Sequence, residues 1–265
     1  MGFIEANGIS QYYEINGDGP TLLLVAGMGG TANYWADQID YFSRSHTVIT
    51  YDQRGTGRST HDRVTSIEQL YEDLLALVDA LGFGKFDFVG HSTGGNVGQI
   101  FAIENPERLA KLVIYASTTR GDAYRTKVWR VRKSILENQG PALYGDMTSL
   151  MLYPPSWISE NAEKLEQQQA AQVKMLAPVE VMMSRIEAVQ AFDRQNELSR
   201  ISVPTLVICA LDDRQTPFYF SEQLAAGIPD AELKTLSYGG HACSRTVPDE
   251  FNSIVSEFLN VTPTN

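Results

Sequence analysis

The 265-residue sequence predicts an α/β fold with a mostly parallel central sheet that is flanked by helices. Short apolar or β-branched runs recur along the chain, and such runs are typical of strands buried on both faces of a parallel sheet. Helical stretches separate several of these runs, which is the pattern of βαβ units. The predicted strands are residues 21–26, 46–51, 86–89, 112–116, 205–210 and 232–236. The predicted helices between them are residues 32–43, 66–81 and 96–105.

The N-terminal segment follows a different pattern. The turn signals Asn7-Gly8 and Asn16-Gly17 flank a segment, residues 9–15, that carries two tyrosines. Asn-Gly is the pair that tight hairpin turns favour, because both positions require a positive φ. The sequence therefore predicts an antiparallel hairpin before the parallel strands begin.

A long segment interrupts the alternation of strands and helices. Residues 120–199 contain no convincing buried strand, are mostly helical in pattern and are broken at Pro154-Pro155. The α/β order resumes at Ile201. We therefore expect a helical cap inserted after the sixth strand, with a core domain of residues 1–119 and 200–265 and a cap of residues 120–199.

Composition excludes some functional classes. The chain has 21 Lys and Arg against 32 Asp and Glu, a net charge of -11, which disfavours a nucleic-acid groove. Its apolar runs are too short to span a bilayer, and it begins without the pattern of a signal peptide. Two cysteines are typical of a reduced protein. We expect a cytoplasmic protein with a small-molecule substrate and no nucleic-acid or membrane partner, and a homodimer stays open.

The strongest chemical motif is Gly90-His91-Ser92-Thr93-Gly94, which directly follows a predicted strand and precedes a helix. This is the G-x-S-x-G nucleophile elbow in the strand–turn–helix setting that it requires. The turn lifts the hydroxyl of Ser92 above the carboxyl edge of the sheet, where open α/β folds bind ligands. Ser92 is therefore the predicted nucleophile.

A serine hydroxyl needs a base that is oriented by a third group. His241 follows the last predicted strand, and the other three histidines open a strand, lie in a polar loop or lie inside the elbow. His241 is therefore the predicted base. Asp213, just beyond the strand at residues 205–210, is the favoured acid, while Asp212 and Asp122 stay open as alternatives.

A family resemblance rests on these residues and on further short motifs. The elbow, the stretch at residues 52–59, the turn from Asp213 to Pro217 and Gly239-Gly240-His241 together resemble the α/β-hydrolase superfamily over essentially the whole chain. Residues 26–30, 51–54, 152–157 and 238–243 look more narrowly like the 3-oxoadipate enol-lactonase and aminoacrylate (carbamate) hydrolase group. This resemblance implies the α/β-hydrolase fold and small polar acyl substrates.

Two departures from the family pattern bear on mechanism. Many members have His-Gly after the first parallel strand, whereas this chain has Ala26-Gly27. Because an oxyanion hole depends on backbone N–H groups, those of Met28 and Thr93 are still the predicted donors. Some aminoacrylate-hydrolase-like proteins lack the elbow serine. Its presence here favours a covalent acyl-enzyme over direct attack by water.

A dinucleotide-binding motif is an alternative interpretation of the first loop. Gly27, Gly29 and Ala32 fit G-x-G-x-x-[G/A], and Asp52 follows 20 residues after Ala32. An NAD-dependent oxidoreductase is thus a distant alternative, although it leaves the elbow and its partners unexplained. We predict no cofactor and no metal, because the cysteines and histidines lack ligand spacing.

The cap supplies candidate substrate-binding residues. Methionines and tryptophans are concentrated there, and apolar pockets with few polar groups are usual for small ligands. A substrate carboxylate could be held by an arginine of the cap's basic cluster. The alternatives are that the apolar residues only pack the cap and that the basic cluster is a solvated face. The candidate residues are Met28, Tyr34, Trp129, Met151, Trp157, Arg125 and Arg132.

Together these features predict a serine hydrolase that cleaves a small ester, enol-lactone, carbamate or amide through a Ser-His-Asp triad and an acyl-enzyme. The same fold can also serve C–C bond hydrolysis, cofactor-free oxygen chemistry or ligand reception, and these alternatives stay open.

Overall fold

A central sheet organises the protein. The computed structural model describes residues 1–173 and 175–261. Its strands are β1 (Gly2–Ala6), β2 (Ile9–Asn16), β3 (Thr21–Val25), β4 (Thr47–Tyr51), β5 (Phe86–His91), β6 (Leu109–Tyr115), β7 (Thr205–Ala210) and β8 (Glu232–Leu236). They form one sheet in the order β1-β2-β4-β3-β5-β6-β7-β8. Only the β1–β2 and β2–β4 pairs are antiparallel, so the predicted mostly parallel sheet is confirmed.

Helices cover the sheet and form the cap. They are α1 (Ala36–Phe42), α2 (Ile67–Ala80), α3 (Thr93–Glu104), α4 (Ala123–Gln139), α5 (Pro141–Leu152), α6 (Pro155–Glu160), α7 (Ala162–Val173), α8 (Val179–Ala191), α9 (Tyr219–Gly227), α10 (Cys243–Thr246) and α11 (Pro248–Leu259). Short 3-10 turns occupy Ala32–Trp35, Pro106–Arg108 and Gln195–Arg200. Helices α4 to α8 lie between β6 and β7, so the cap follows the sixth strand as predicted, while its domain boundaries stay a prediction.

The N-terminal hairpin is confirmed. Asn7 and Gly8 have φ values of 49° and 74°, the positive values that a two-residue hairpin turn needs. Strand β2 then pairs antiparallel with β4, with Ile15 opposite Ile49. The hairpin therefore extends the parallel sheet at one edge.

Two predicted helices begin at different residues in the structure. The first is a 3-10 turn from Ala32 before it becomes α1 at Ala36. Helix α3 begins at Thr93 rather than Asn96, because the chain enters the helix directly after Ser92. The early start places Thr93 in the first helical turn, where backbone N–H groups have no intrahelical acceptor.

The hydrophobic core has a layer on each face of the sheet. One layer combines Phe88 of the sheet with Phe101 of α3 and extends into the cap through Trp129 and Ile186. The other layer contains Trp35 and Phe251 on the opposite face. Cap and core therefore share one buried layer. No helix within residues 1–173 and 175–261 is long and apolar enough to cross a membrane.

Candidate active site

The elbow is a strained turn between β5 and α3. Ser92 has φ 52° and ψ -112°, in the positive-φ region that non-glycine residues rarely adopt. Its N–H donates to the carbonyl oxygen of Tyr115 at 2.8 Å, which anchors the turn to β6. A Cβ on Gly94 would lie 2.2 Å from the carbonyl oxygen of Val25, so only glycine fits there. The turn is therefore held by close approach of the backbone to β3.

His241 and Asp213 are in direct contact. His241 Nδ1 lies 2.8 Å from Asp213 Oδ2, and both side chains are almost fully buried. The same carboxylate accepts hydrogen bonds from the N–H groups of Gln215 and Thr216, at 2.7 and 2.9 Å, and from the Thr216 hydroxyl. These bonds fix the carboxylate, so it can hold the imidazole with its Nε2 directed away from the acid.

The two alternative acids are occupied elsewhere. Asp212 Oδ1 accepts from the N–H of Gly240 at 2.8 Å, which is a bond to the loop that carries His241. Asp122 caps α4, where Oδ1 accepts from the Arg125 N–H, and its Oδ2 accepts from the hydroxyl of Tyr219 at 2.6 Å. Of the three acids, the structure brings only Asp213 to the ring of His241.

The backbone of His241 is held by both the core and the cap. Its carbonyl oxygen accepts from His91 Nε2 at 3.0 Å and from the Tyr115 hydroxyl at 2.9 Å. The next N–H, that of Ala242, donates to the carbonyl oxygen of Leu152 in the cap at 3.1 Å. Burial keeps the pKa of His91 well below its usual value, so this ring is neutral with its proton on Nε2.

Ser92 and His241 are not hydrogen-bonded to each other in this structure. Within the described residues, no hydrogen bond joins Ser92 Oγ to His241 Nε2. Such bonds are often long in ligand-free enzymes and shorten when substrate binds. Ser92 is half-buried, so its hydroxyl can be reached from outside.

Two backbone donors face no protein acceptor. Over residues 1–173 and 175–261, the N–H groups of Met28 and Thr93 donate to no backbone or side-chain oxygen. A Cβ on Gly27 would lie 3.3 Å from the Ser92 Cβ and 3.1 Å from His91 Nδ1. The loop after β3 therefore runs directly against the elbow, as an oxyanion hole requires.

Sequence reasoning missed two residues behind this loop. Gln53 donates through Nε2 to the carbonyl oxygen of Ala26 at 2.7 Å, and Arg185 donates through Nε to that of Met28 at 2.8 Å. Both side chains are almost fully buried. Arg185 is a cap residue far from the loop in sequence, and no local pattern marks such a long-range contact.

The environment of Asp52 disfavours the dinucleotide alternative. Its carboxylate accepts from the N–H of Ala32 at 2.8 Å, and from the N–H and the Nε of Arg58, both at 2.9 Å. The side chain is fully buried. A ribose-binding acid needs a free carboxylate, so Asp52 acts here as a brace between the first loop and the turn after β4.

Arg125, Trp129 and Arg132 form a buried cluster on α4, contrary to the solvated-face alternative for these two arginines. The guanidinium groups lie 5.5 and 4.7 Å from the centre of the Trp129 ring. Arg125 Nη1 donates to the carbonyl oxygen of Gln215 at 3.3 Å, and Arg132 Nη1 donates to its Oε1 at 3.2 Å. The cluster therefore contacts the loop that carries Asp213. Of the other four basic residues of this cluster, Arg120, Lys127 and Arg130 are exposed, and Lys133 is half-buried and pairs with Glu187 at 3.4 Å.

The other substrate-binding candidates lie in three different elements. The Tyr34 ring stacks on His91 at 4.6 Å, and its hydroxyl accepts from Ser244 Oγ, so it supports the elbow. Trp157 stacks on Tyr153 at 4.5 Å in the cap turn beside the histidine loop. Met151 is half-buried at the end of α5. Their roles as substrate contacts stay predictions.

Neither cysteine has an environment that suits a nucleophile. Cys209 and Cys243 are both free and buried, and burial raises the pKa of each thiol, that of Cys209 to about 11. A buried, protonated thiol is a poor nucleophile. No group of three or more His, Cys, Asp or Glu side chains in the described part of the chain could hold a metal ion.

Comparison with known proteins agrees with the fold. The family model of the alpha/beta hydrolase fold matches residues 20–140. The “Putative carbamate hydrolase RutD” of Azorhizobium caulinodans is 40% identical over 259 residues, which cover 97% of this chain and 98% of that protein. The enol-lactonase from Burkholderia xenovorans LB400 has a TM-score of 0.90 at 26% identity, covering 98% of this chain and 100% of its own.

A hydrolase from Pseudomonas aeruginosa PA01 also has a TM-score of 0.90, at 29% identity over 98% of each chain. The sheet order and these relatives define an enzyme of the hydrolase class. The chain belongs to the α/β-hydrolase fold family. The resemblance inferred from the sequence is thereby confirmed.

Proposed function

We propose that the protein hydrolyses a small ester, enol-lactone, carbamate or amide through an acyl-enzyme on Ser92. His241 Nε2 takes the proton of the Ser92 hydroxyl while Oγ attacks the carbonyl carbon of the substrate. The carbonyl π electrons move to its oxygen, which becomes an oxyanion facing the N–H groups of Met28 and Thr93. Asp213 orients the imidazole and stabilises its positive charge.

The second half of the reaction mirrors the first. As the tetrahedral intermediate collapses, the bond to the leaving group breaks and His241 returns the proton to that group. Water then enters, gives a proton to His241 and attacks the acyl carbon. Collapse releases the acid and restores the Ser92 hydroxyl with the same proton.

The observation that carries this proposal is the 2.8 Å contact between Asp213 and His241, whose ring centre lies 4.8 Å from that of His91, the residue before the strained elbow serine. An acid–imidazole pair explains why a buried histidine is held in one tautomer. The N–H groups of Met28 and Thr93, which have no acceptor among the described residues, supply the remaining part of an acyl-transfer site.

The cap favours a substrate that carries an anionic group. Arg125 and Arg132 are only 5% and 4% exposed, and within the described residues neither forms an ion pair with a carboxylate. The pKa of Arg125 is lowered by burial to about 10, so it is charged at neutral pH. A substrate carboxylate would therefore replace Gln215 as the guanidinium partner.

Serine labelling and a substitution test the proposal together. We expect a fluorophosphonate to label native protein on Ser92, and Ser92→Ala to lower kcat on p-nitrophenyl acetate by about 10⁴-fold or more, because the nucleophile is lost. A panel of lactones, carbamates and esters then identifies the substrate. Thermal unfolding of Ser92→Ala controls for damage to the fold.

The outcomes separate the alternatives. Near-native activity of Ser92→Ala would refute covalent catalysis, and a single burst without steady turnover would indicate ligand reception. Labelling of a different residue would identify that residue, and not Ser92, as the nucleophile. The cytoplasmic location, the homodimer and the absence of a cofactor remain predictions that fractionation, sedimentation and activity after dialysis would check.

A further inference from the structure

Arg185 of the cap reaches through the core to the loop that carries the proposed oxyanion donor. It lies on α8 and is 3% exposed. Its guanidinium donates to three oxygens of the core, namely the Met28 carbonyl at 2.8 Å, Gln53 Oε1 at 2.6 Å and the Arg54 carbonyl. Such a fork of parallel donors fixes the relative positions of its acceptors.

All three of these acceptors are uncharged. In the part of the chain that the structure describes, no carboxylate forms an ion pair with Arg185, although burial of a cation normally demands a charged partner. Burial lowers the pKa of Arg185 to about 10, so the group is cationic at neutral pH. The structure thus keeps a positive charge behind the loop, since the Asp73 carboxylate that acts on it through space is itself ion-paired with Arg54 at 2.7 Å.

The carbonyls of the loop are held in succession. The Ala26 oxygen accepts from Gln53 Nε2 at 2.7 Å, the Gly27 oxygen from the N–H of Gly30 at 3.2 Å, and the Met28 oxygen from Arg185 at 2.8 Å. In a trans peptide the N–H points opposite to the C=O. Fixing the Gly27 oxygen therefore directs the Met28 N–H, and the flanking bonds keep that peptide from rotating.

Gln53 connects the Ala26 carbonyl to the guanidinium of Arg185. Its Nε2 bonds to the Ala26 carbonyl while its Oε1 accepts from Arg185, so one guanidinium controls both flanking carbonyls. We call these two side chains the Arg185–Gln53 clamp. Because α8 belongs to the cap, the clamp forms only when that helix is docked on the core.

We propose that Arg185 is a positioning residue for the oxyanion hole, one that acts through the Met28 carbonyl and through Gln53 to aim the Met28 N–H. The inference rests on the proposed acyl-transfer function. The substrate carbonyl is neutral and the tetrahedral intermediate is anionic. A group that aligns a donor and adds positive charge behind it therefore stabilises the intermediate more than the bound substrate.

The test compares Arg185→Met with a matched control, Arg194→Met. Arg194 also links the cap to the core, through an ion pair with Glu68 at 2.8 Å, but it does not touch the loop. For Arg185→Met we expect kcat on p-nitrophenyl acetate to fall by about 10- to 100-fold, less than for loss of an oxyanion donor itself. KM should change by less than about threefold, since ground-state binding is spared.

A tetrahedral inhibitor gives a readout that a purely structural role would not move. Phenylboronic acid adds to a serine Oγ and places an oxygen in the oxyanion hole. Its Ki should rise for Arg185→Met in parallel with the loss of kcat, and for Arg194→Met both should stay near native even if that variant melts earlier. Gln53→Glu provides a second variant if Arg185→Met does not fold, because it gives Arg185 a carboxylate partner but removes the donor to the Ala26 carbonyl. It too should lower kcat and raise the Ki.

Each result is decisive. Native kcat and Ki in folded Arg185→Met, or in Gln53→Glu where the first variant is unfolded, would overturn the clamp as a positioning device. Ser92→Ala is measured alongside. If it is inactive while the clamp variants behave as native, only this inference fails. If it is active, the proposed function fails and the oxyanion role falls with it.

Discussion

The adjacent carboxylates of Asp212 and Asp213 have different partners. Asp213 bonds to His241 Nδ1, whereas Asp212 bonds to the Gly240 N–H in the same loop. The first contact orients the imidazole ring and the second fixes the backbone before it. The sequence favoured Asp213, but the partner of Asp212 depends on how the histidine loop folds back, which no local pattern shows.

Exchanging either acid for its amide tests this division of roles. Asp213→Asn should lower kcat by about 10³- to 10⁴-fold, because an amide beside Nδ1 stabilises the wrong tautomer of His241. Asp212→Asn keeps an oxygen that can accept from Gly240, so its kcat should stay within about threefold of native. Both are measured on p-nitrophenyl acetate, with melting temperatures as the control for folding. A larger loss of kcat for Asp212→Asn than for Asp213→Asn would show that Asp212, and not Asp213, orients the imidazole.

At the scale of elements, the elbow depends on how closely α3 approaches β3. A Cβ on Gly94 would lie 2.2 Å from the carbonyl oxygen of Val25 and 2.9 Å from that of Ala26, and neither backbone atom can move freely. Gly94→Ala should therefore destabilise the protein by about 1–3 kcal/mol, the usual cost of overpacking. It should also lower kcat, since the turn that carries Ser92 has to shift.

Gly84→Ala is the matched control for that substitution. Nothing lies within 4 Å of a Cβ at Gly84, and its φ is not positive. Its free energy of unfolding should therefore stay the same or rise by about 0.4–1 kcal/mol, because alanine restricts the unfolded chain. Urea unfolding of both variants makes the comparison. Equal stabilities would mean that α3 can retreat from β3 without cost.

Local sequence patterns predicted the strands and helices better than they predicted which residues these elements contact. The apolar runs marked β3, β4 and β7 because continuous burial leaves a continuous apolar sequence. The spacing on α4 also placed Arg125 on one face with Trp129. What covers that face is the loop at Gln215, distant in sequence, so periodicity could not tell a buried arginine from a solvated one.

Over the whole molecule, charge is unevenly distributed. Residues 120–199 carry 10 basic and 10 acidic side chains, and the other residues carry 11 basic and 22 acidic ones. The core therefore repels an anion at long range. Short-range attraction has to come from buried cations, where screening by solvent is weak. Arg125 suits this role, since its only protein acceptor among the described residues is the Gln215 carbonyl at 3.3 Å, a long hydrogen bond.

This distribution of charge predicts that Arg125→Met loses more activity on an anionic ester than on a neutral one. The ratio of kcat/KM for an ester that carries a free carboxylate to that for its neutral methyl ester should fall by about 10- to 100-fold, which corresponds to a charged hydrogen bond of 1.5–3 kcal/mol. Arg130→Met is the matched control, because it removes the same charge from an exposed position on the same helix. Its ratio should stay within about twofold of native, since an exposed charge is screened. Equal ratios in both variants would show that the field of the whole protein governs anion selectivity. A parallel loss on both esters in Arg125→Met would instead mean that Arg125 acts through the loop of Asp213.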